Sequence, residues 1–256
     1  MSMRAPSLVA LYAVFLLADG AAFAQQSDVQ QLIQQGDAYD AQLDNKRALD
    51  AYLQAEKLGS RDAETLRRVA RQYALLMNDV TSADRQRELG EKALDYAKRS
   101  VAADPRDAQA QLSAAICYGR LVSLVGSRTK VEYSRLIKQH ADLALQLDPS
   151  DSYAYHVLGV WNYELAQMGT FLRAIVKIVY GGVPPASNEE AVRLFKKAVE
   201  LAPQRVSHHV ELGRAYLALG LKQLARAELQ KGLALPSREK DDPESKKRAT
   251  EALASL

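Results

Sequence analysis

The sequence offers few side chains that are spaced for catalysis or metal binding. Its four histidines, His140, His156, His208 and His209, form neither H-x-x-x-H nor H-E-x-x-H, the spacings with which a helix presents two ligands to zinc. The adjacent pair begins a predicted helix, where neighbouring side chains cannot face one ion. The single cysteine, Cys117, lies in the apolar run AAICYG and is predicted to be a small buried side chain. We therefore predict no metal site.

Sequence motifs of common enzyme classes are missing as well. The sequence has no G-x-S-x-G, no G-x-x-x-x-G-K-[ST] and no G-x-G-x-x-G after a strand. Gly181-Gly182 precedes Val-Pro-Pro and predicts a turn. Ser187-Asn188-Glu189-Glu190 predicts a capping box at the start of a helix, which the acidic pair Glu189-Glu190 also favours. These observations predict a protein without enzymatic activity and without a cofactor.

Composition and charge narrow the possible fold classes and partners. The 256 residues are 48% hydrophobic and 25% charged, which is typical of a globular protein. Lys and Arg exceed Asp and Glu by a net charge of only +3, spread evenly along the chain, so no nucleic-acid partner is expected. The small numbers of glycine (13) and proline (8) argue against an all-β fold.

The first 24 residues have the pattern of a secretory signal peptide. Arg4 precedes an apolar run of 11 residues, 8–18, and Ala22-Phe23-Ala24 provides an A-x-A cleavage site. This order predicts cleavage after Ala24 and an exported, periplasmic protein. The alternative is a membrane-tethered protein that keeps its N-terminal segment, although the run is shorter than the roughly 20 residues of a membrane span.

The remainder of the chain repeats a helix-pair pattern. Four helix-like stretches end in proline, at Pro105, Pro149, Pro203 and Pro236. Inside the units, a small residue is followed by an aromatic residue three positions later and by a second small residue 12 positions after the first. The clearest cases are Gly36, Tyr39 and Ala48 near the start and Gly213, Tyr216 and Ala225 near the end. This spacing resembles the tetratricopeptide repeat (TPR) and predicts an all-α fold, an α-solenoid of TPR-like helix pairs.

The repeats predict one helical domain, 25–256, with lengthened middle units. The units span about 29–59, 62–105, 107–149, 151–203 and 205–236, and a terminal helix over 243–256 caps the last unit. Asp242 is expected to cap this helix ahead of Pro243, and the mixed-charge run 238–248 is expected to be a solvated link and helix start. The second and third units are about ten residues longer than a standard repeat, which corresponds to about three helical turns. The fourth unit has room for a whole additional helix.

The lengthened fourth unit resembles one known family. The stretches VLGVWNYELA, PPASNEEAVRLFKKAVELAP and ELGRAYLALGLKQLARAELQKGLALP are similar to the regulator of microtubule dynamics family, through most of residues 90–255. We read the chain as an exported, bacterial-type member. The resemblance implies an all-helical repeat domain used for interaction. It also suggests a lipid ligand, because some eukaryotic relatives are associated with membranes and lipids.

In TPR-type repeats, the first helix of each unit lines the inner, concave surface. The inward positions lie three before, one after and four after the small residue. They give the candidate groove residues Arg67, Arg71, Leu112, Ile116, His156, Val160, Tyr163, Val210, Arg214 and Leu217. The surface is basic in the second unit and mostly apolar afterwards, which suits an amphipathic helix with an acidic end, or an acyl chain with an acidic head group.

The additional helix over 170–180 has an apolar face and a basic face. Its candidate residues are Phe171, Leu172, Arg173, Ile175, Lys177 and Val179. Three roles are open: closing the groove, lying on a membrane surface, or binding a partner. Trp161 is expected in the core. The sequence as a whole predicts a non-catalytic exported scaffold that binds a protein or peptide in its groove. The alternative is a carrier or sensor of a hydrophobic ligand such as a phospholipid.

Overall fold

The computed structural model describes residues 8–169, 176–178, 181 and 185–256. The regular structure in these residues is helical, as predicted. The chain divides into two compact units, Met1–Arg61 and Asp62–Leu256, which are described separately. The predicted extent of one domain, 25–256, and the exact limits of its repeats stay predictions.

The first unit is a pair of helices, α1 (Leu8–Ala41) and α2 (Asn45–Lys57). The Asp44 carboxylate caps α2 by accepting a 3.1 Å hydrogen bond from the Arg47 backbone N–H. Tyr52 of α2 is buried against α1, where a Cβ at Gly36 would overlap its ring. Helix α1 continues through Ala24, and the predicted cleavage after that residue stays a prediction.

Nine further α-helices of the second unit lie wholly within its described residues. They are α3 (Ala63–Leu76), α4 (Ala83–Ala103), α5 (Ala108–Leu121), α6 (Ser127–Leu147), α7 (Ser152–Ala166), α8 (Asn188–Leu201), α9 (Val206–Ala218), α10 (Lys222–Ala234) and α11 (Asp242–Ala254). Short 3₁₀ turns, Met77–Asp79 and Val122–Leu124, follow α3 and α5. Helices α4 and α6 have 21 residues each, so much of the additional length of these repeats lies in their second helices.

Side-chain caps fix where several of these helices begin. The Asp62 carboxylate accepts from the Thr65 N–H at 2.9 Å, and the Asp151 carboxylate accepts from the Tyr153 N–H at 2.7 Å. Ser187 caps α8 as predicted, because its hydroxyl accepts from the Glu190 N–H at 3.1 Å. The Glu190 carboxylate pairs with Arg193 instead of completing a capping box.

The helices pack in pairs, α3 with α4, α5 with α6, α7 with α8, and α9 with α10. The predicted small residues lie at the closest approaches. A Cβ at Gly159 would lie 2.6 Å from the Phe195 ring of α8, and one at Gly213 would lie 2.6 Å from Leu229 of α10. The first helices of successive pairs also contact each other, α3 with α5, α5 with α7 and α7 with α9. This arrangement confirms the all-α fold of TPR-like helix pairs.

Helix α11 covers α9 and α10. Ala249 of α11 is fully buried in a cluster with Val206, Val210 and Leu229. Asp242 was expected to cap α11 ahead of Pro243, and this expectation is wrong. Its carboxylate accepts the backbone N–H groups of Arg238 and Glu239, at 2.7 and 2.8 Å, and thereby fixes the turn before the helix.

Most of the segment 170–180 lies outside the described residues. Phe171, Leu172, Arg173, Ile175 and Val179 belong to that part. In the described residues 176–178, Val176 is buried, whereas Lys177 is exposed and Ile178 is 83% exposed. The three roles considered for this segment therefore stay predictions.

Across the described residues, we find no helix that combines the length and the hydropathy needed to span a membrane.

Candidate functional site

The inner helices α3, α5 and α7 line two adjoining cavities. The first, here called the apolar cavity, has a volume of about 440 Å³ and lies between α5, α6 and α7. Most of its wall is aliphatic or aromatic. Its lining residues include Ala115, Ile116, Val122, Val131, Ile137, Val157, Val160, Trp161, Leu165 and Met168, with Arg120, Lys130, Ser134, Tyr153, His156 and Glu164 as polar members.

The second, here called the arginine cavity, has a volume of about 330 Å³ and a much more polar wall. Its charged lining residues are Arg67, Arg71, Arg120, Asp151, Arg205, Glu239, Lys240 and Asp241. Ile116, Arg120 and Tyr153 line both cavities, so the two spaces adjoin. An apolar space thus continues into a space in which cations outnumber carboxylates.

The structure brings six of the ten predicted groove residues to these cavities. Arg67, Arg71, Leu112 and Ile116 line the arginine cavity, and Ile116, His156 and Val160 line the apolar cavity. They are the inward positions of α3, α5 and α7. Their participation in ligand binding stays a prediction.

The other four predicted residues have packing contacts. Val210 is fully buried in the core under α11. The Arg214 guanidinium pairs with Glu211 at 2.6 Å and lies 4.9 Å above the centre of the Tyr163 ring. Tyr163 itself packs beside Phe195, and Leu217 is half-buried. At α9, Val210 and Arg214 therefore serve contacts within the protein.

Trp161 belongs both to the core and to the cavity wall. It is 5% exposed, which confirms the expectation of a core position. Its indole N–H donates to the backbone carbonyl of Ser134 at 2.8 Å, with the Ser134 hydroxyl at 3.0 Å. This bond satisfies the polar atom of a buried indole and fixes the ring between α6 and α7.

Two buried histidines meet at the wall of the apolar cavity, which His156 lines. The Nδ1 atoms of His156 and His208 are 3.1 Å apart, and the Tyr153 ring lies 5.1 Å from that of His156. Burial lowers the pKa of His156 to about 4, and burial together with neighbouring His156 lowers the pKa of His208 to about 2. Both rings are therefore neutral near pH 7.

His209 differs from its neighbour. Its Nδ1 lies 2.6 Å from the Glu228 carboxylate, and this hydrogen bond raises the pKa of His209 above its ordinary value. His140 pairs instead with Gln111 at 2.6 Å. Among the described residues, no group of three or more His, Cys, Asp or Glu side chains could hold a metal ion.

Cys117 is 2% exposed in the core formed by α3 to α6, as its apolar neighbours predicted. Burial raises the pKa of its thiol to about 12.

Sequence reasoning missed the residues that follow α10. The mixed-charge run 238–248 was expected to be a solvated link and helix start. Instead, Glu239 pairs with Arg205 at 2.5 Å, Lys240 pairs with Asp79 at 2.8 Å, and Asp241 pairs with Arg120. Only the alternation of acidic and basic residues in this run could have indicated such contacts.

The electrostatics of the arginine cavity favour an anion. Burial, with repulsion from Arg68, lowers the pKa of Arg67, which shows that its positive charge is only partly compensated. Burial also raises the pKa of Glu239, against the opposing effect of Arg205. The raised pKa of Glu239 shows that burial opposes a charged carboxylate at that position. The excess of cations in the lining, including the partly compensated Arg67, favours an anionic group.

Comparison with curated proteins places the chain in a family. The family model described as "Regulator of microtubule dynamics protein 1-3" matches residues 32–256. Regulator of microtubule dynamics protein 1 of Mus musculus is 33% identical over 199 residues, which cover 77% of this chain and 65% of the mouse protein. The Homo sapiens protein 1 is 30% identical, over 75% of this chain and 60% of its own length. The chain thus spans less than two thirds of these relatives.

Solved structures agree with the helix-pair fold. A thermophilic TPR protein from Thermus thermophilus has a TM-score of 0.65 at 19% identity, covering 88% of this chain and 99% of that one. The pilF protein of Pseudomonas aeruginosa has a TM-score of 0.56 at 14% identity, covering 91% and 90%. At these identities the likeness concerns the fold alone. The sequence match and the fold together show that this chain belongs to the regulator of microtubule dynamics protein 1-3 family.

Proposed function

We propose that the protein is a non-catalytic scaffold whose inner helices bind an amphipathic segment of a partner protein. The apolar side chains of that segment would occupy the apolar cavity, and an acidic end would face the arginine cavity. One observation supports this proposal above all: the two cavities adjoin at Ile116, Arg120 and Tyr153. TPR-like architecture is also consistent with peptide binding in general.

The two cavities would contribute to binding in different ways. Each leucine- or phenylalanine-sized side chain buried among Ile116, Val157 and Val160 would contribute about 1.5–3 kcal/mol. The arginines would add less net affinity, because they must lose water, but they would fix the direction in which the segment lies. A helix with apolar residues at i, i+3 and i+4 and an acidic terminus fits this division.

Site-specific photo-crosslinking tests this proposal. A diazirine-bearing amino acid replaces Val160, at the apolar cavity, or Lys196, which is exposed on α8. In cells making each variant, we expect a discrete protein adduct at position 160 and none at position 196. The adduct should disappear when Ile116→Asp is added. Equal adducts at the two positions, or none at position 160, would contradict the proposal.

A second candidate is a carrier of a hydrophobic molecule with an anionic head group, such as a phospholipid. The apolar cavity favours it, because Arg120 and Lys130 accompany a mostly aliphatic wall. Native mass spectrometry of gently purified protein separates the candidates. A bound lipid mass that Val160→Asp removes would favour the carrier, whereas a bare protein with a peptide adduct at position 160 favours the scaffold.

We further propose that the protein is exported, as a bacterial-type member of the family. The proposal rests on the 1–24 pattern, with retention as a membrane tether as the alternative. N-terminal sequencing of protein made in its native cell tests it. A mature chain that begins at Gln25 supports export, and an intact Met1 in a membrane fraction supports the tether. An intact chain outside the membrane fraction would contradict both.

A further inference from the structure

Residues between α10 and α11 form part of the wall of the arginine cavity. Glu239, Lys240 and Asp241 belong to its lining. The Glu239 carboxylate accepts from Arg205 at 2.5 Å, just before α9. The Asp241 carboxylate accepts from Arg120 of α5 and from the Asn78 side-chain amide. We call residues 239–241 the acidic segment.

The acidic segment joins parts of the chain that are far apart in sequence. Lys240 pairs with Asp79 after α3, Asp241 with Arg120 of α5, and Glu239 with Arg205 before α9. The segment thereby connects three of the four helix pairs of the second unit, those of α3, α5 and α9. A link that served only to join α10 to α11 would need none of these contacts.

The charge balance shows what the two carboxylates do. Four arginines line the cavity, and without Glu239 and Asp241 the remaining carboxylate in its lining would be Asp151. Guanidinium groups gathered on a partly buried wall repel each other, and each carboxylate that binds there relieves this repulsion. The acidic segment thus supplies the kind of anionic group that the cavity favours.

We propose that the acidic segment is an internal mimic of the acidic end of the partner. The carboxylates of the partner bind Arg205 and Arg120 by displacing those of Glu239 and Asp241. This inference rests on the proposed function. It adds the chemistry of the partner, two carboxylates presented beside an apolar helix face, and it states what the partner displaces.

The contacts of the segment are suited to exchange. The paired side chains keep between 21% and 38% of their exposure, so water and other anions can reach them and compete for each ion pair. Asp242, by contrast, is 3% exposed and holds the following turn, so α11 can stay docked. A tethered segment acts at an effective concentration on the order of millimolar. A short free acid cannot compete with it, whereas a ligand that also fills the apolar cavity can.

Peptide titration of two matched variants tests the inference. The probe is a dye-labelled 14-residue amphipathic helix, with leucines at helical spacing, ending in Glu-Lys-Asp; the control probe ends in Gln-Lys-Asn. Glu239→Gln/Asp241→Asn removes the internal carboxylates. The control variant, Glu244→Gln/Glu251→Gln, removes two exposed carboxylates from α11. Fluorescence anisotropy gives each dissociation constant, and circular dichroism verifies that each variant keeps its helical content.

We expect Glu239→Gln/Asp241→Asn to bind the acidic probe at least tenfold more tightly than the wild type. The control variant and the neutral probe should show less than a twofold change. Adding Arg120→Gln should remove most of the gain. Equal affinities of the wild type and Glu239→Gln/Asp241→Asn, or an equal gain for the neutral probe, would overturn the inference.

Val160→Asp separates the two proposals. Suppose that the wild type and Glu239→Gln/Asp241→Asn bind the acidic probe equally, and that only Val160→Asp abolishes binding. The inference then fails, and the proposed function stands. If Val160→Asp does not change the tenfold gain in affinity for the acidic probe, the inference is supported, and the role of the apolar cavity in the proposed function is wrong. If no variant binds, the expected gain is missing and the inference is overturned.

Discussion

The same repeat position has different surroundings in α7 and in α9. Val160 follows Gly159 in α7 and lines the apolar cavity, whereas Arg214 follows Gly213 in α9 and pairs with Glu211 over Tyr163. The position three before the small residue differs in the same way. His156 lines a cavity, and Val210 is fully buried. The position in the repeat thus determines the direction in which a side chain points. The helix packed beside it determines whether that side chain lines a cavity or contacts other residues.

The neighbouring element at α9 is α11. The last pair of a repeat stack has no further pair to cover it, so a terminal helix must bury its apolar surface. Ala249, with the partly buried Leu253 and Leu256, packs on the cluster that contains Val210. The α3–α7 part of the second unit thus lines the apolar and arginine cavities, whereas Val210 of α9 lies in a packed cluster under α11. Ser207 of α9 and Ser245 and Arg248 of α11 line a further cavity, of about 760 Å³.

The largest expected difference is between Val210→Asp and Val160→Asp. A carboxylate at the fully buried Val210 has no partner in its aliphatic cluster, so we expect a loss of about 3–5 kcal/mol in the free energy of unfolding. Val160 is half-buried at a cavity, and its replacement should cost about 1 kcal/mol. Urea denaturation measures both. Equal losses would show that the two regions do not differ as described.

The histidine pair lies where the two regions meet and makes stability depend on pH. The pKa of His156 is lowered to about 4 and that of His208 to about 2, from an unfolded value near 6.5. Below pH 6.5 the unfolded chain therefore takes up protons that the folded chain does not, and stability falls as the pH falls. Between pH 7 and pH 5 we expect a loss of about 3 kcal/mol, measured by urea denaturation at each pH.

His209 provides the matched control for this pH dependence. Its pKa is raised by Glu228, so its own stabilising contribution is fully present below the unfolded value and is lost only as the pH rises through the folded pKa. His209→Gln should therefore keep the acid destabilisation, or steepen it slightly. His156→Gln should remove about half of it. An unchanged slope in His156→Gln would contradict the assignment.

Both regions contain a glycine in close contact with a buried side chain. Replacing either glycine by alanine should lower the stability by a similar amount. Gly159→Ala and Gly213→Ala would each place a Cβ 2.6 Å from a buried side chain, Phe195 or Leu229. Because such overlap must be relieved by moving packed atoms, we expect each to cost about 2 kcal/mol. Thermal denaturation tests this, with Gly119→Ala as the control, because open space surrounds its Cβ position. A loss of stability in the control alone would contradict the packing described.

The smallest expected effect is that of Arg214→Gln. Its buried partner Glu211 also pairs with Arg248 at 3.1 Å, so one cation remains. We expect a loss of about 0.5–1 kcal/mol in stability and less than a twofold change in affinity for the acidic probe. A tenfold loss of affinity would show that the α9 region takes part in binding.

The fold was predictable because its determinants are local. Small residues such as Gly159 and Gly213 sit where helices approach, and Ser187 caps α8 as its position suggested. Six of the predicted groove residues reach the cavities because the repeat register determines the inward face. The burial of Val210 could not be predicted, because its position in the repeat does not indicate that α11 packs over it.

The acidic segment could not be predicted for a different reason. Asp241 and Arg120 are 121 positions apart, and nothing in either neighbourhood indicates the other. A mixed-charge run is usually solvated, so composition favoured the wrong interpretation. Asp242 was misread similarly: its place before Pro243 matches a helix cap, but its carboxylate serves the preceding turn.

The buried thiol of Cys117 gives the molecule an intrinsic reporter. A thiol with a pKa of about 12 and 2% exposure forms almost no thiolate while the helices stay packed. Its reaction with an aromatic disulfide reagent should therefore proceed only when the core of α3 to α6 opens, at a rate set by the opening equilibrium. Since the chain has one cysteine, a bulk colour change follows that single event without any engineered label.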